Sequence, residues 1–370
     1  MFENIYKRNG LEWVWGMEPD EKITSIIPYA EELIKLENQS LSVYINDLRG
    51  GDVLSLVHKK TGRDVLWRSR RARSERPRAG SLGPTDTDFY DEYPGGIQEL
   101  FPNTANTTVI NGVEYPFHGE ACRITWGLIP NNPDAGTQAD ALRVTLQAFL
   151  RRAPVKMIRT ISLDPDREVL SIESSVENLS DTRTPYSWAF HPVFGENLIS
   201  EDCTLYLPTD MVTAHPEEFS VNQKWPPGST QALLMHQDVG ALVLRGSRDI
   251  GADLLYAECP SAWFVLRNET TGLTVSASWD SDVMPYLWIW QECHDPKGFP
   301  WWGLEHVVGI EPHSSVPAQE LKTLTETGQS SWLGPKERIT ATLRLCVNET
   351  DTSEIPTGVD ASGLPMTEGK

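Results

Sequence analysis

Apolar and polar residues alternate over most of the chain, in short segments that turn-forming residues interrupt. Residues 41–67 are the first clear example, with breaks at Gly50-Gly51 and Thr61-Gly62. A period of two places successive side chains on opposite faces of a strand, so this stretch predicts three strands joined by tight turns. The same pattern recurs in ADALRVTLQAFL, VKMIRTISLDPDREVLSIESSVENLS, GALVLRGS, SAWFVLRNETTGLTVSASW and RITATLRLCV.

These segments predict an all-β fold, a large antiparallel β-sandwich that forms one domain over residues 35–348. The strand candidates outnumber those of a simple immunoglobulin-like unit, and the composition does not change between them. Residues 1–34 have mixed helical character interrupted by Pro28, and we expect them to form an N-terminal appendage. Residues 349–370 are polar and rich in turn formers, so we expect a flexible C-terminal tail.

Charge and cysteine usage narrow the classes of partner and compartment. The chain has 370 residues, a net charge of −20 and a pI of about 4.8. An acidic surface repels nucleic acid and anionic membranes, so neither is expected as a partner. The five Cys are far apart and lack a CxxC pair, and the sequence shows neither a signal peptide nor an apolar span. We therefore expect a cytoplasmic monomer or homodimer with reduced thiols.

An arginine cluster between residues 68 and 78 contrasts with this acidic background. Arg70, Arg71 and Arg73 are candidates for anion binding, because guanidinium groups donate paired hydrogen bonds to phosphate or carboxylate. The alternative interpretation is a solvated loop that balances nearby acidic residues.

Three segments combine hydrogen-bonding residues with large aromatic side chains. Asn103 and Asn106 follow a Gly-Gly pair and could bind hydroxyl groups, or form an ordinary turn. His118 precedes Gly119-Glu120, and Trp126 closes the same segment as either a stacking wall or a core residue. His191 follows an aromatic run and precedes Pro192, so the strand is expected to end there with the imidazole at the sheet rim.

A fourth segment, residues 286–317, places Trp290 and Glu292 in a tryptophan-rich stretch shortly before Glu311. Glu311 follows the apolar run HVVGI and precedes Pro312, which predicts a carboxylate at the end of a buried strand. Desolvation among aromatic residues raises a carboxyl pKa, as a general base requires. The alternative is a glutamate exposed on an edge loop.

Taken in order, the motifs run GG, FPN, HGE, FHPVF and GIEP. This pattern resembles the galactose mutarotase-like (aldose 1-epimerase) superfamily over residues 36–347. The resemblance implies a large β-supersandwich with a shallow open cleft, and an isomerase that interconverts the α and β anomers of a hexose or related sugar without a metal or other cofactor. It implies Glu311 as catalytic base, His191 as catalytic acid and His118 as a ligand of the sugar hydroxyls.

The resemblance also bears on the remaining substrate contacts. Asn103 or Asn106 lies where the family keeps an Asn-Arg pair, although Thr107 takes the place of the arginine. Asp280 and Asp282 are the candidates for an aspartate that the family keeps in its cleft. Trp126, Trp290 and Glu292 complete the expected binding set.

Other interpretations of the sequence stay open. The arginine cluster would suit a sugar phosphate or a uronic acid, and a non-catalytic carbohydrate-binding protein would keep the fold without the chemistry. Glycoside hydrolysis would need two carboxylates on either side of the scissile bond, such as Glu292 or Glu120 with Glu311. A metal site is not expected, because the residues Glu292, His294, Glu305, His306 and His313 match no standard zinc spacing.

Overall fold

A computed structural model describes residues 27–69, 75–83, 85–130 and 142–367. The first strands in this part of the chain are β1 (Ile34–Glu37), β2 (Leu41–Asn46), β3 (Asp52–His58), β4 (Arg63–Asp64), β5 (Ile97–Leu100), β6 (Thr108–Ile110), β7 (Val113–Tyr115), β8 (Gly127–Ile129), β9 (Arg143–Phe149), β10 (Val155–Leu163), β11 (Val169–Asn178), β12 (Thr184–Tyr186) and β13 (Ala189–Phe194). They are followed by β14 (Cys203–Leu207), β15 (Met211–Ala214), β16 (Thr230–Ala232), β17 (Leu234–His236), β18 (Val239–Val243), β19 (Gly251–Glu258), β20 (Trp263–Asn268), β21 (Leu273–Trp279), β22 (Tyr286–Cys293), β23 (His306–His313), β24 (Ser331–Leu333), β25 (Arg338–Glu349), β26 (Pro356–Val359) and β27 (Pro365–Thr367).

Helices are short wherever the structure describes the chain. They are α1 (Asp86–Tyr90), α2 (Leu321–Glu326) and the 3-10 turns Ala30–Glu32 and Ala121–Arg123. A capping box starts α1, since the Thr85 side chain accepts from the Asp88 backbone N–H and the Asp88 carboxylate accepts from the Thr85 backbone N–H. In the described part of the chain, no helix has the length and apolar character that crossing a lipid bilayer requires.

Two large antiparallel sheets dominate the described residues. The first has eleven strands in the order β1-β2-β3-β5-β13-β23-β22-β19-β15-β16, with β4 paired to β3. The second has ten strands in the order β17-β18-β14-β20-β21-β25-β11-β10-β9-β8. Three two-stranded pairs, β6-β7, β12-β24 and β26-β27, complete the pairing seen there. The sequence-based prediction of an all-β antiparallel sandwich is confirmed.

The main hydrophobic core lies between the inner faces of these two sheets. Alternate residues of the central strands point into it, such as Val308 and Ile310 of β23, Leu287 and Ile289 of β22, and Leu343 of β25. This arrangement follows directly from the two-residue period of the sequence, because one face of each strand must be buried.

A second apolar cluster lies on the outer face of the first sheet. It contains Trp288 and Trp290 of β22 and Val307 of β23, together with Trp67 and with Phe89 of α1. The first sheet therefore has side chains packed on both faces, and its outer face is rich in aromatic residues.

A buried ion pair joins the two sheets through the core. Arg159 Nε on β10 donates to Oε2 of Glu99 on β5 at 2.8 Å, and Ser174 Oγ donates to the same oxygen at 2.6 Å. The indole N–H of Trp188 donates to the other carboxylate oxygen at 2.8 Å. Both oxygens of the buried Glu99 carboxylate therefore accept hydrogen bonds, as burial of a charge requires.

The two ends of the chain differ in how the structure describes them. Strand β1 begins at Ile34, next to the predicted domain boundary at residue 35. The segment expected as a flexible tail, residues 349–370, contains the hairpin β26-β27 in its described part. The hairpin lies on the second sheet, where Ser276 Oγ donates to Gly363 O at 2.6 Å and Val359 packs against an apolar cluster that includes Trp263.

Candidate active site

Strand pairing in the first sheet brings His191 and Glu311 together. Strand β13 lies between β5 and β23, and its register with β23 pairs Ala189 with His313 and Val193 with Gly309. By that register His191 stands opposite Glu311. Both side chains lie on the outer face, and His191 Nε2 is 3.4 Å from Glu311 Oε1.

Both residues lie within their strands rather than at the strand ends that the sequence suggested. Strands β13 and β23 continue through Pro192 and Pro312 to residues 194 and 313. The β13–β23 ladder is interrupted between the pairs Ala189–His313 and Val193–Gly309, where the prolines occur. Proline lacks the N–H that a ladder hydrogen bond needs. A central strand therefore tolerates proline where the ladder is interrupted, as it is here.

The two oxygens of the Glu311 carboxylate have different neighbours. Oε1 faces His191, and Oε2 lies 3.1 Å from Nε2 of His313. Gly309 lies two residues earlier on the same face, where an added Cβ would come within 2.4 Å of Oε1. The glycine therefore leaves the space that the reacting side of the carboxylate occupies.

Burial controls the protonation of this group of residues. It raises the pKa of Glu311 well above its ordinary value and lowers the pKa of His191 to about 4. The pKa of His313 is also held well below the usual range, by desolvation and then by the neighbouring His191 and His118. Between the lowered pKa of His191 and the raised pKa of Glu311, the pair therefore holds one proton, on Glu311, and an acid–base pair in this state can work in either direction.

His118 approaches the pair from the segment after β7. Its Nδ1 lies 2.7 Å from the carbonyl oxygen of Thr104, and a carbonyl can only accept, so Nδ1 carries the proton. Burial keeps the pKa of His118 well below its usual range, which leaves Nε2 as an unprotonated acceptor. The His118 and His191 ring centroids are 5.5 Å apart. The backbone at Gly119 has φ +75°, and an added Cβ would meet Phe101 O at 2.4 Å, so only glycine fits there.

A third histidine that lines the cleft, His215, was not predicted from the sequence. Its Nδ1 lies 2.5 Å from the hydroxyl of Tyr256, and that hydroxyl accepts the backbone N–H of Ala318 at 3.0 Å. The tyrosine thus donates to Nδ1, and the neutral imidazole carries its proton on Nε2. Desolvation lowers the pKa of His215, in keeping with the neutral form. A His-Pro pair, His215-Pro216, is the sequence signal that could have found it, since His191 also precedes a proline.

Aromatic rings form the walls of a cleft of about 870 Å³, measured with its open mouth, around these polar groups. The rings belong to Phe89, Tyr90, Tyr93, Phe117, Trp288, Trp290 and Trp301. Trp290 and Trp301 lie 5.3 Å apart, and the Tyr93 hydroxyl is 3.5 Å from His191 Nδ1. A cleft with apolar walls and few converging polar groups is typical of a small-molecule site.

The cleft contains five of the residues that the sequence singled out. These are Asn106, His118, His191, Trp290 and Glu311, and all of them line it. Trp288 and Trp301, which belong to the same tryptophan-rich segment, line it as well. Asp86 adds a carboxylate that no sequence motif indicated.

Three predicted binding residues lie elsewhere. Asn103 is fully buried and holds its own loop, because Nδ2 donates to the carbonyl oxygens of Ala105, Asn106 and Pro116. Trp126 belongs to the core between the sheets, with its indole N–H on Ala121 O and the Arg159 guanidinium over its ring.

Glu292 is the third. It is buried beyond the cleft wall, and its Oε1 accepts the Asp295 N–H at 3.1 Å. Desolvation raises its pKa to about 8. The sequence could not distinguish these three from cleft residues, because their positions relative to the cleft depend on how distant segments pack together.

The predicted anion-binding arginines Arg70, Arg71 and Arg73 lie outside the described residues. Their neighbours in the cluster have structural partners: Arg68 lies 3.7 Å from Asp64, and Arg76 donates to Asp47 at 2.5 Å. None of the described residues that line the cleft is Lys or Arg.

The two aspartate candidates of the sequence lie away from the cleft. Asp280 and Asp282 are exposed in the turn after β21, where Asp280 Oδ2 accepts the backbone N–H of Thr342 at 2.7 Å. The aspartate that lines the cleft is Asp86, which α1 brings to the rim.

A separate set of metal-ligating side chains occurs where β22 meets β23. One ligand atom from each of Cys293, His294 and His306 lies within 4.8 Å of the other two. The sequence had not grouped these three residues, because Cys293 was counted only among the reduced thiols.

Comparisons with known proteins place the chain in a family and a fold. A sequence model of the family described as "Domain of unknown function (DUF4432)" matches residues 30–347. No curated protein matches the chain.

Solved structures share the architecture at low sequence identity. The Slr1438 protein from Synechocystis is 20% identical with a TM-score of 0.61, over 86% of this chain and 96% of its own. A galactose mutarotase-like protein from Lactobacillus casei is 18% identical with a TM-score of 0.58, over 85% and 100%. A galactose mutarotase related enzyme from Lactobacillus acidophilus is 16% identical with a TM-score of 0.60, over 86% and 98%. At these identities the likeness shows the fold, which is galactose mutarotase-like, as the sequence resemblance implied.

Proposed function

The chain belongs to the family DUF4432, a domain of unknown function, and we propose that it is a sugar mutarotase that interconverts the α and β anomers of a hexose or a related sugar. Glu311 and His191 exchange the protons of the reaction. The fold it shares with galactose mutarotase-like proteins supports this reaction class. The geometry of the cleft supplies the stronger argument.

The separation of His191 and Glu311 is the observation that carries the proposal. Their facing atoms are 3.4 Å apart, in direct contact. In a cyclic sugar the anomeric hydroxyl oxygen and the ring oxygen are both bonded to C1, so a base and an acid that act on them must be close neighbours. Glycoside hydrolysis needs carboxyl groups about 5–9.5 Å apart across the bond, a different requirement.

The proton transfers balance within the pair. The resting proton of the pair first moves from Glu311 to His191, whose facing atoms are 3.4 Å apart. Glu311 Oε1 then takes the proton of the anomeric hydroxyl while His191 gives its proton to the ring oxygen. The ring C–O bond breaks, C1 becomes an aldehyde, and the single proton of the pair now resides on Glu311. Rotation about the C1–C2 bond presents the other carbonyl face. The reverse transfers then close the opposite anomer, and the pair returns to its starting state.

The rest of the cleft suits a neutral sugar. The aromatic walls can stack on the C–H face of a pyranose, since indole and phenol rings combine large apolar area with a polar edge. His118 Nε2 accepts from a hydroxyl, His215 Nε2–H donates to one, and the Asn106 amide can do both. Mutual positioning of acceptors and donors around one ring is what sugar recognition requires.

The decisive experiment measures anomer exchange directly. Freshly dissolved α-glucose, α-galactose and their 6-phosphates are followed by polarimetry, and exchange between anomers by NMR. Wild type should accelerate the exchange, and Glu311→Gln and His191→Asn should each lose about 10²–10⁴-fold of that rate. Glu258→Gln, an exposed glutamate at the end of β19, is the matched control and should keep the wild-type rate.

The same experiment separates the alternatives. Acceleration of the 6-phosphates alone would move the substrate to a sugar phosphate and direct attention to Arg70, Arg71 and Arg73. Sugar binding measured by tryptophan fluorescence, without acceleration of any anomer, would replace the mutarotase with a carbohydrate-binding protein. Equal rates for wild type and Glu311→Gln would remove Glu311 from the mechanism.

A further inference from the structure

The junction of β22 and β23 brings a thiol and two imidazoles together outside the cleft. Cys293 ends β22, His306 begins β23, and the two residues pair directly in the antiparallel ladder. His294 follows with a left-handed backbone (φ 47°), and its ring centroid is 5.8 Å from that of His306. One ligand atom from each side chain lies within 4.8 Å of the others.

One buried ligand atom of this group has no described hydrogen-bond partner, while the Cys293 thiol lies 3.1 Å from the carbonyl oxygens of Gly246 and Asp249, and His294 Nδ1 lies 3.3 Å from Gly303 O. His306 is buried, and its Nε2 lies 3.2 Å from Arg245 O, so Nε2 carries the proton toward that carbonyl. Among the described residues, Nδ1 of His306 has no hydrogen-bond partner. A buried imidazole nitrogen in this state is costly unless something binds it. A backbone carbonyl that accepts from the other ring nitrogen is the arrangement that orients metal-binding histidines.

The surroundings add negative charge. Asp295 follows His294 and is fully buried, and neither of its carboxylate oxygens has a hydrogen-bond partner among the described residues. Glu292, which accepts the Asp295 N–H, precedes Cys293. A cation bound at this junction would offset the charge of the buried Asp295 carboxylate.

We propose that Cys293, His294 and His306 bind a divalent metal ion of the zinc class. One thiolate and two imidazoles are a donor set that Zn²⁺ prefers, with a fourth position left for water or another group. Binding replaces the thiol proton of Cys293, which passes to solvent, and small side-chain rotations bring the three donors to bonding distance. This site goes beyond the proposed mutarotase reaction, in which the metal takes no part.

The site would clamp the loop that carries part of the cleft wall. Residues 295–304 leave β22 after His294 and return to β23 at His306, so a metal held at both ends closes the loop at its base. The loop includes Trp301, which lines the cleft and packs on Trp290 and Trp67. Ordering the loop base reduces the freedom of that wall before any ligand binds.

The test measures zinc in the whole protein. Reduced, chelator-treated chain is titrated with Zn²⁺, and bound metal is counted by elemental analysis after dialysis. We expect one equivalent per chain, and Co²⁺ in its place should give a thiolate-to-cobalt charge-transfer absorption. Hydrogen exchange of residues 295–304 should slow when zinc is bound. These readouts need no sugar, so they stand or fall separately from the mutarotase proposal.

Variants decide whether the named residues hold the ion. Cys293→Ser and His306→Asn should each weaken zinc binding by at least about 100-fold, because the loss of even an outer-shell partner costs 10–100-fold. His294 is half-buried, so His294→Ala tests the site without disturbing the core. Cys259→Ser, at a buried thiol elsewhere, is the control and should bind like wild type. Wild type without stoichiometric zinc, or undiminished binding in Cys293→Ser and His294→Ala, would overturn the proposal.

Discussion

The imidazole of His313 lies face to face with the indole of Trp288, with 3.6 Å between the ring centroids and 5° between the ring planes. The stack holds His313 where its Nε2 meets Glu311 Oε2 at 3.1 Å. With that oxygen engaged, the other carboxylate oxygen is the one that faces His191. His313 is fully buried, so in the proposed reaction we expect it to act as a positioning residue, through Glu311.

Replacing His313 by phenylalanine keeps an aromatic ring on Trp288 and removes the hydrogen bond to Glu311. We expect kcat to fall about 10- to 150-fold, because a hydrogen bond to a charged group is worth about 1.5–3 kcal/mol. KM should change little, since the cleft walls are intact. Polarimetric kinetics measure both, with His236→Phe on β17 as the control. Unchanged kcat would show that the carboxylate is oriented without His313.

Gly309→Ala tests the space beside the reacting oxygen. The added Cβ would lie 2.4 Å from Glu311 Oε1 and 3.2 Å from the Trp290 ring, so the carboxylate must move. We expect kcat to fall about 100-fold, as misplacement of a reacting group by about 1 Å costs that much. The Tm should stay near wild type, because a carboxylate end can shift at little cost. A large drop in Tm with normal specific activity would contradict this account.

The pH profile of kcat/KM should be bell-shaped with a broad plateau through neutrality. Below about pH 4, the lowered pKa of His191, the imidazole gains a proton while Glu311 keeps its own, and no base remains. At high pH kcat/KM falls only above the raised pKa of Glu311, where the pair loses its last proton and no acid remains. The two apparent values belong to the coupled pair. A rate that falls as pH drops from 7 to 5 would show that the resting pair is an ion pair instead.

Trp301→Ala removes one wall of the cleft without touching the acid–base pair. Aromatic contacts contribute about 0.5–1.5 kcal/mol beyond burial, so KM should rise about 2- to 12-fold with kcat nearly constant. Trp332→Ala, a partly exposed tryptophan on β24, is the control. An equal effect of both substitutions on KM would show that Trp301 does not contact the sugar.

The buried ion pair between Arg159 and Glu99, which joins the two sheets, leads to a prediction about stability. Arg159→Met leaves the Glu99 carboxylate buried without its guanidinium, and we expect the free energy of unfolding to fall by about 3–5 kcal/mol. The double variant Arg159→Met, Glu99→Leu should recover part of the loss, because it removes the unpaired charge. Urea unfolding followed by tryptophan fluorescence measures both. Equal stability of the single and double variants would contradict the argument.

Local patterns predicted the fold because strand alternation is a property of neighbouring residues. The order of the strands was not predictable, since the placement of β13 between β5 and β23 depends on contacts between distant segments. The cleft shows the same difference between local motifs, which the sequence contains, and their placement in space, which it does not. His118, His191 and Glu311 stood in recognisable motifs, and the structure brings them together.

The predicted binding residues that lie outside the cleft share a physical feature. Asn103 and Trp126 carry groups suited to sugar binding, but distant residues engage them in the interior, where the Leu321 N–H donates to Asn103 Oδ1 and Arg159 lies over the Trp126 ring. His215 carries no stronger motif than His-Pro, and only its bond to Tyr256 brings it to the cleft. Tertiary hydrogen bonds decide which polar residues face a ligand, and the sequence alone does not contain them.

The position of β13 between β5 and β23 has a consequence for how the protein acquires its activity. His191 and Glu311, the proposed acid and base, are 120 residues apart in the sequence, so the cleft depends on pairings of high contact order, which form slowly. A chain leaving the ribosome cannot join His191 to Glu311 until β23 has emerged, and a fragment that ends before residue 311 lacks the proposed base altogether. In a refolding experiment, the return of turnover should therefore lag behind the recovery of tryptophan fluorescence and mark the completion of the first sheet.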